Sequence, residues 1–179
     1  MEKVKVRDRE FSLFLTAGEI AKGVDMVAEM INKDMQGKDP LFLCVLNGAF
    51  IFASDLLKKV TVDCEISFVK LSSYVGTKTT NTIRELIGLD QVLAGRTVVV
   101  LEDIVDTGIT MAYTRNKLRE LGAADVRIAT LLFKPEAFRE DFALDYVGIV
   151  IPNEFIVGYG LDYNGHGRNL PDIYKIIED

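Results

Sequence analysis

The sequence has few residues of the kinds that build disulfide-stapled or metal-dependent folds. It contains two cysteines and one histidine among 179 residues. Cys44 and Cys64 lie in apolar segments and form no C-x-x-C pair, so we expect two buried thiols in a reducing cytoplasm, with neither a disulfide nor a metal site. His166 stands between two glycines, and we interpret it as part of a surface loop.

Long apolar runs and an excess of positive charge are also missing. No run approaches the about 20 residues that a membrane-spanning helix needs. The N-terminal MEKVKVRDREFSLF lacks the apolar stretch of a secretory signal, so we expect a cytoplasmic protein. The net charge of −6 argues against a nucleic-acid partner, which requires a basic face. A small polyanion can still bind through local N–H groups, a few cations or a metal ion.

What is present is an alternation of buried strands and amphipathic helices. Residues 16–35 read as a helix with a T-x-x-E capping box formed by Thr16 and Glu19. The polar stretch YVGTKTTNTIREL, residues 74–86, predicts a loop or a mobile hairpin. The pattern predicts one α/β domain over residues 1–179, with a mainly parallel central sheet flanked by helices. The other predicted elements are helices at 48–59 and 110–121 and strands at 41–46, 64–74, 96–103, 126–134, 145–151 and 155–163.

The segment VVVLEDIVDTGITM, residues 98–111, places three acids at the end of a buried strand. Glu102 and Asp103 directly follow apolar residues, and Asp106 precedes the next helix. One interpretation is a solvated acid pair followed by a helix cap made by Asp106 or Thr107. The ends of parallel strands, however, are where such sheets bind ligands.

A phosphorylated sugar explains this segment better than a helix cap alone does. A turn of small residues at a helix start presents N–H groups to a phosphate, and Thr107 and Thr110 add hydroxyl donors. Carboxylates at the same place suit sugar hydroxyls or a divalent cation. Competing motifs are absent: there is no G-x-x-x-x-G-K-[ST], and Gly158-Tyr159-Gly160 lacks the third glycine of a dinucleotide site. The two acids are also adjacent, whereas an aspartyl-phosphate transferase separates them by one residue.

Four motifs, in the expected order, resemble those of the type I phosphoribosyltransferases, and specifically of the hypoxanthine-guanine phosphoribosyltransferase family. VVVLEDIVDTGITM resembles the signature for 5-phosphoribosyl-1-diphosphate (PRPP), and VLNGAF (residues 45–50) resembles the pyrophosphate loop. SSY resembles the start of the flexible lid, and FIVGYGLDYNGHGRNL (residues 155–170) resembles the purine segment. The resemblance covers nearly the whole chain. It implies the type I fold, with a lid at about 73–86 and a small hood from the N- and C-terminal parts of the chain, which includes about 152–179.

The resemblance implies a reaction as well as a fold. The family transfers the 5-phosphoribosyl group from PRPP to N9 of hypoxanthine or guanine, giving IMP or GMP and pyrophosphate, with Mg²⁺ and in purine salvage. Glu102 and Asp103 would hold the ribose hydroxyls and help to seat Mg²⁺. Asp106 would be the general base near the purine N7. Backbone N–H groups of the phosphate turn would bind the 5-phosphate; its residues are Asp106, Thr107, Gly108, Ile109 and Thr110.

Pyrophosphate would be bound by Asn47, Gly48 and Arg168, in the family with a non-proline cis peptide in the loop. Many members carry lysine at the position of Asn47, and some carry lysine at Ile109. The departure at Asn47 removes a cation but leaves the backbone donors in place. Pyrophosphate affinity or coupling to the lid is therefore the property that this departure puts in question.

The resemblance assigns the purine contacts mainly to the C-terminal part. Lys134 would donate to the purine 6-oxo group, which adenine lacks. Phe155 would stack on the base and Ile156 would use its backbone. Asp162 would reach a second Mg²⁺ through water, and Ser73 and Tyr74 would belong to the lid.

Two alternatives to a hypoxanthine-guanine enzyme stay open. One is a different base preference, either for xanthine and guanine or for hypoxanthine alone. The other is a regulator that uses the fold to sense PRPP or nucleotides without catalysis; it would need a basic face or an added DNA-binding segment. Members of the family form dimers or tetramers, so the resemblance implies a homo-oligomer.

Overall fold

The computed structural model describes residues 2–75, 81–87 and 92–177. They form three helices, α1 (Ala17–Asp34), α2 (Phe50–Leu57) and α3 (Ile109–Glu120), together with two sheets. The strands are β1 (Lys3–Val6), β2 (Arg9–Leu15), β3 (Leu41–Leu46), β4 (Glu65–Val75), β5 (Asn81–Ile87), β6 (Thr97–Val105), β7 (Asp125–Phe133), β8 (Tyr146–Val150), β9 (Ile156–Val157) and β10 (Ile173–Ile176).

The larger sheet confirms the predicted α/β class. Its order is β5-β4-β3-β6-β7-β8, and all neighbours are parallel except β5, which runs antiparallel to β4. After β3 the chain forms β4, which pairs with one edge of β3. It later crosses to β6, which pairs with the other edge of β3. The loops after β3 and β6 therefore open at the topological switch point, where such sheets bind ligands.

Two apolar layers hold the helices against this sheet. On one face, Val24 and Ile31 of α1 and Phe52 of α2 pack on Phe42 of β3. On the other face, Met111 and Leu118 belong to the cluster that covers the opposite side of β3 and β6. Because both faces are covered, the two central strands read as unbroken apolar runs in the sequence.

Local sequence signals explain where α1 begins. The Thr16 side chain accepts from the Glu19 N–H, and the Glu19 carboxylate accepts from the Thr16 N–H at 2.8 Å. This is the predicted capping box. Helix α2 is shorter than predicted, because residues 47–49 form the turn that leads into it.

A smaller antiparallel sheet forms the hood, in the order β1-β2-β10-β9. Its strands come from both ends of the chain, as expected from the family resemblance. The predicted strand at residues 155–163 is wrong beyond Val157. Gly158, Tyr159 and Gly160 all have positive φ, at 107°, 49° and 100°, so the chain leaves the extended conformation and turns back over the main sheet.

The segment predicted as a loop or a hairpin contains a strand, because β5 pairs with β4. Residues 76–80 of the predicted lid lie outside the described residues. Both cysteines are free thiols. Cys44 is buried, as predicted, and burial raises its pKa to about 12, whereas Cys64 is only partly buried, contrary to the prediction. None of the helices that the structure describes combines the length and apolar character required to span a bilayer.

Candidate active site

The candidate site lies where the C-terminal ends of β3, β6 and β7 meet. The pyrophosphate loop (residues 45–50) follows β3, the acids lie at the end of β6, and Lys134 follows β7. The purine segment (residues 155–170) reaches the same edge from the hood. Residues far apart in the sequence are therefore brought to one edge of the sheet, as predicted for a parallel fold.

The acid pair is withdrawn from water. Glu102 is only 8% exposed, and its carboxylate accepts from the Asp103 N–H at 3.2 Å. The Asp103 carboxylate accepts from the Ile104 N–H at 2.7 Å. Burial raises the pKa of Glu102 well above its ordinary range, and the neighbouring Asp103 raises it further. Burial also raises the pKa of Asp103. The interpretation of a solvated pair is therefore wrong, and the site favours a proton or a cation beside these oxygens.

The phosphate turn (residues 106–110) begins α3 without a side-chain cap. Gly108 is the N-cap residue, with φ of 86°, and it has no side chain that could cap the helix. Neither Asp106 nor Thr107 is thus the cap, which removes the purely structural explanation of the motif. The first N–H groups of a helix have no intrahelical partner, so they are free to bind an anion.

A cavity of 250 Å³ joins the acids to this turn. Its volume lies just below the about 300–1,000 Å³ of pockets for drug-sized ligands, and therefore suits a smaller polar ligand. It is lined by Glu102, Asp103, Ile104, Val105, Asp106, Thr107, Gly108, Thr110 and Met111.

The pyrophosphate loop approaches the acids more closely than a side chain would permit. A Cβ atom on Gly48 would lie 1.7 Å from Oδ2 of Asp103. The peptide bond between Leu46 and Asn47 is cis, as the family resemblance implies. Gly48 is therefore required for the contact between the loop and the acid pair.

Lys134 and Asp106 form an ion pair inside the site. Nζ of Lys134 lies 3.3 Å from Oδ2 of Asp106; the lysine side chain is 9% exposed and the aspartate side chain 47%. The predicted base-recognition residue and the predicted general base thus face each other. A purine that contacts both side chains would lie along the open side of this pair.

Arg168 contacts other residues of the purine segment and interacts electrostatically with Asp103. Its guanidinium donates to the Gly160 carbonyl and to the Asp162 carboxylate, both at 2.6 Å. The other oxygen of Asp162 accepts from the Gly165 N–H. Burial raises the pKa of Asp103, and the positive charge of Arg168 partly offsets this rise. Both oxygens of Asp162 therefore already have protein partners.

The remaining predicted residues lie at the rim of the site or beyond it. Phe155 is 48% exposed, with its ring centroid 6.0 Å from that of Tyr163, while Ile156 is buried in β9. Ser73 and Tyr74 lie on β4, opposite β5. His166 is exposed, as predicted for a loop residue.

The donor set at the acid pair fits Mg²⁺. Glu102 and Asp103 offer hard oxygen ligands, and Mg²⁺ is usually bound by one or two carboxylates together with substrate phosphates. In the part of the chain that the structure describes, no third acidic, histidine or cysteine side chain completes a protein-only site. The substrate oxygens would supply the other ligands.

Two site-bordering residues carry no signal in the sequence. The Tyr159 hydroxyl donates to Oδ2 of Asp55 at 2.6 Å and joins the purine segment to α2. Asp55 reads as an ordinary surface acid of a helix. Only the glycines on both sides of Tyr159 hint at a special backbone conformation.

Comparisons with known proteins identify the family of this chain. A model of the phosphoribosyl transferase domain matches residues 13–164. The hypoxanthine-guanine phosphoribosyltransferase of Streptococcus thermophilus is 42% identical over 154 residues, which are 86% of each chain. A crystal structure of a hypoxanthine-guanine phosphoribosyltransferase from Bacillus anthracis has a TM-score of 0.86 at 34% identity, covering 93% of this chain and 97% of that one.

A second solved structure has its product bound. It is the hypoxanthine phosphoribosyltransferase of Trypanosoma cruzi in complex with IMP, with a TM-score of 0.87 at 32% identity over 97% of both chains. The residues that match the domain model, 13–164, contain the acid pair, the phosphate turn and most of the purine segment. The chain belongs to the phosphoribosyltransferase family and, within it, to the hypoxanthine-guanine phosphoribosyltransferases of purine salvage.

Proposed function

We propose that this protein transfers the 5-phosphoribosyl group of PRPP to N9 of hypoxanthine and guanine, giving IMP or GMP and pyrophosphate. One observation carries the proposal: a buried acid pair and an uncapped helix start share one cavity at the switch point of a parallel sheet. A sugar phosphate needs both parts, because its hydroxyls donate to carboxylates and its phosphate accepts from N–H groups.

The phosphate turn and the acid pair orient the ribose. The 5-phosphate accepts from the N–H groups of Thr107 to Thr110, and the two ribose hydroxyls donate to Glu102 and Asp103. Gly48 and Arg168 bind the pyrophosphate group on the other side of C1′. Glu102 and Asp103 would hold Mg²⁺, which would supply positive charge to neutralise the leaving pyrophosphate.

The transfer exchanges one bond at C1′ for another. The bond from C1′ to the pyrophosphate oxygen breaks, and pyrophosphate leaves with its electron pair. The N9–C1′ bond forms from the purine lone pair, and the proton that the purine loses passes to Asp106. The carboxylate of Asp106 also stabilises the positive charge that develops on the ribosyl ring.

Base selection rests on Lys134 and the rim of the hood. The ammonium group of Lys134 donates to the 6-oxo group, which hypoxanthine, guanine and xanthine share and adenine lacks. Its burial supports this role, because among the described residues the buried ammonium group pairs with one carboxylate, and it has further N–H donors for the base. Phe155 leaves nearly half of its ring surface free to stack on the base.

The expected setting is a homo-oligomer, dimer or tetramer, in the cytoplasm. Ile66 and Phe68, on one face of β4, are 44% and 47% exposed and give an apolar surface to a second copy. Light scattering during gel filtration measures the mass in solution.

The experiment that tests the function is a substrate panel. The protein is incubated with PRPP, Mg²⁺ and hypoxanthine, guanine, xanthine or adenine, and products are identified by mass. We expect IMP and GMP, and no AMP. Absence of product with every 6-oxopurine would refute the proposal, and a regulator would bind PRPP without consuming it.

A further inference from the structure

A partly buried hydrogen bond connects the purine segment to helix α2. Tyr159 is 8% exposed and has a left-handed backbone, with φ of 49°. Its hydroxyl donates to Oδ2 of Asp55 at 2.6 Å. The other oxygen of Asp55 accepts from Nζ of Lys58 at 2.7 Å. The Tyr159 N–H donates to the Leu170 carbonyl at 2.8 Å, so both residues of the link have a second contact.

Helix α2 is continuous with the pyrophosphate loop. The Ala49 N–H donates to the Val45 carbonyl at 3.2 Å, and the Ala53 N–H donates to the Ala49 carbonyl at 2.8 Å. Ala49 and Phe52 are fully buried. The loop and the helix are therefore connected by hydrogen bonds and buried side chains, which gives a structural path from Asp55 to Gly48.

A second contact joins the same two segments one residue further along. A Cβ atom on Gly160 would lie 2.1 Å from the Gly48 carbonyl oxygen. The Gly160 carbonyl accepts from Arg168, and the Gly160 N–H donates to the Arg168 carbonyl at 2.9 Å. The position of Tyr159 thus fixes the backbone that lies against the pyrophosphate loop and carries Arg168.

We propose that Tyr159 and Asp55 are positioning residues that couple the purine segment to the pyrophosphate loop, so that base binding and pyrophosphate binding depend on each other. This inference rests on the proposed function. Neither side chain lies in the cavity of the acid pair, so their effect passes through the backbone of Gly48 and Gly160.

The test uses Tyr159→Phe, Asp55→Ala and the double variant. Each single change removes one partner of the hydrogen bond; alanine replaces Asp55 because an asparagine oxygen would still accept from the Tyr159 hydroxyl. We expect the KM for PRPP and the inhibition constant of pyrophosphate to rise about three- to ten-fold in each single variant, with a smaller change in kcat. Because both changes remove the same bond, the double variant should be no worse than the poorer single one.

The chain contains a matched control in Tyr146. Its hydroxyl donates to the Asp34 carboxylate and joins β8 to α1, away from the candidate site. Tyr146→Phe removes the same kind of bond, so it should lower Tm comparably while leaving both constants unchanged. This control separates positioning of the site from general loss of stability.

Two outcomes would overturn the inference. One is a change confined to the KM for hypoxanthine, and the other is additive effects in the double variant. If Tyr159→Phe does not fold, Asp55→Ala alone decides, because unchanged pyrophosphate inhibition contradicts the coupling. A wild-type protein that makes no IMP would instead refute the proposed function; calorimetric titration of pyrophosphate with and without IMP still measures the coupling.

Discussion

The two halves of the candidate site are built in different ways. The sugar-phosphate half lies within one stretch, residues 102–111, where a strand end and a helix start place acids and N–H groups side by side. The purine half combines Lys134 with a segment that is held by contacts to α2 and the pyrophosphate loop. This difference predicts that changes in the first half affect every substrate, whereas changes in the second half affect selection and coupling.

The largest effect is expected at Asp106, which faces both halves. Asp106→Asn keeps the shape of the side chain but removes the proton acceptor. General acid–base groups typically contribute about 10²–10⁴-fold. We expect kcat to fall by that factor with every 6-oxopurine, while the KM for PRPP changes little.

The control for this substitution is Asp125→Asn. Asp125 begins β7 at the opposite end of the sheet, where it pairs with Arg127. Its kinetics should match those of the wild type. If Asp106→Asn weakened PRPP binding as much as it lowered kcat, Asp106 would be a binding residue rather than the base.

The next largest effect is expected where the pyrophosphate loop meets the acids. Gly48→Ala places a methyl group 1.7 Å from the Asp103 carboxylate, so the loop or the acid must move. Displacement of reacting groups by about 1 Å can cost about 10²-fold in rate, and we expect a loss of that order in kcat/KM for PRPP.

Gly18→Ala is the matched glycine control. Gly18 lies in the first turn of α1, and its added Cβ would meet nothing closer than 4.0 Å. Because alanine favours helix formation, this variant should be active and at least as stable as the wild type. An active Gly48→Ala enzyme would mean that the loop does not need its close approach to Asp103.

A smaller and selective effect is expected at Lys134, in the purine half. Lys134→Gln replaces a charged donor with a neutral one. Hydrogen bonds to charged groups contribute about 1.5–3 kcal/mol, so kcat/KM for hypoxanthine should fall about 10- to 100-fold. Unchanged kinetics, compared with Lys117→Gln on the surface of α3, would remove Lys134 from the site.

The smallest effect concerns stability and pH at the acid pair. The pKa of Glu102 is raised from its ordinary value of 4.5 by burial, so the folded protein favours the protonated form. Glu102 therefore contributes its full stabilisation of the folded state below pH 4.5. This stabilisation is lost as the pH rises through the raised pKa that Glu102 has in the folded protein. Without Mg²⁺, Glu102→Gln should therefore raise Tm at pH 8 relative to the wild type, and much less at pH 4.

The expected rise is about 2–4 °C, the change that 1 kcal/mol produces in a domain of this size. Thermal melts with and without Mg²⁺ measure it, and Mg²⁺ should stabilise the wild type more than the variant. Glu136→Gln, on an exposed side chain, is the control. If the Tm of Glu102→Gln and the Tm of the wild type depended on pH in the same way, the raised pKa of Glu102 would be contradicted.

Local signals in the sequence were sufficient for most of the main sheet. The apolar runs of β3 and β6 are buried on both faces, and the Thr16–Glu19 capping box begins α1 where it was predicted. The acids and the phosphate turn could be predicted for the same reason, since their geometry depends on neighbours in the chain. The roles of these residues as ligands stay predictions.

The hood could not be derived from local signals. Strands β1, β9 and β10 have at most four residues each and depend on pairing between the two ends of the chain. The left-handed backbone of Tyr159 is unusual for a non-glycine residue, and long-range contacts enforce it. The prediction of a strand at 155–163 was wrong beyond Val157, because long-range contacts produce no periodic pattern of apolar residues in the sequence. The hood itself came from the family resemblance.

The most direct test of the central claim is a crystal structure of the protein with PRPP and Mg²⁺. The account predicts one sugar phosphate in the cavity between β6 and α3, with its 5-phosphate on the N–H groups of residues 107–110. The ribose hydroxyls should contact Glu102 and Asp103. An empty cavity at saturating PRPP, or a ligand bound without contact to either acid, would contradict the account.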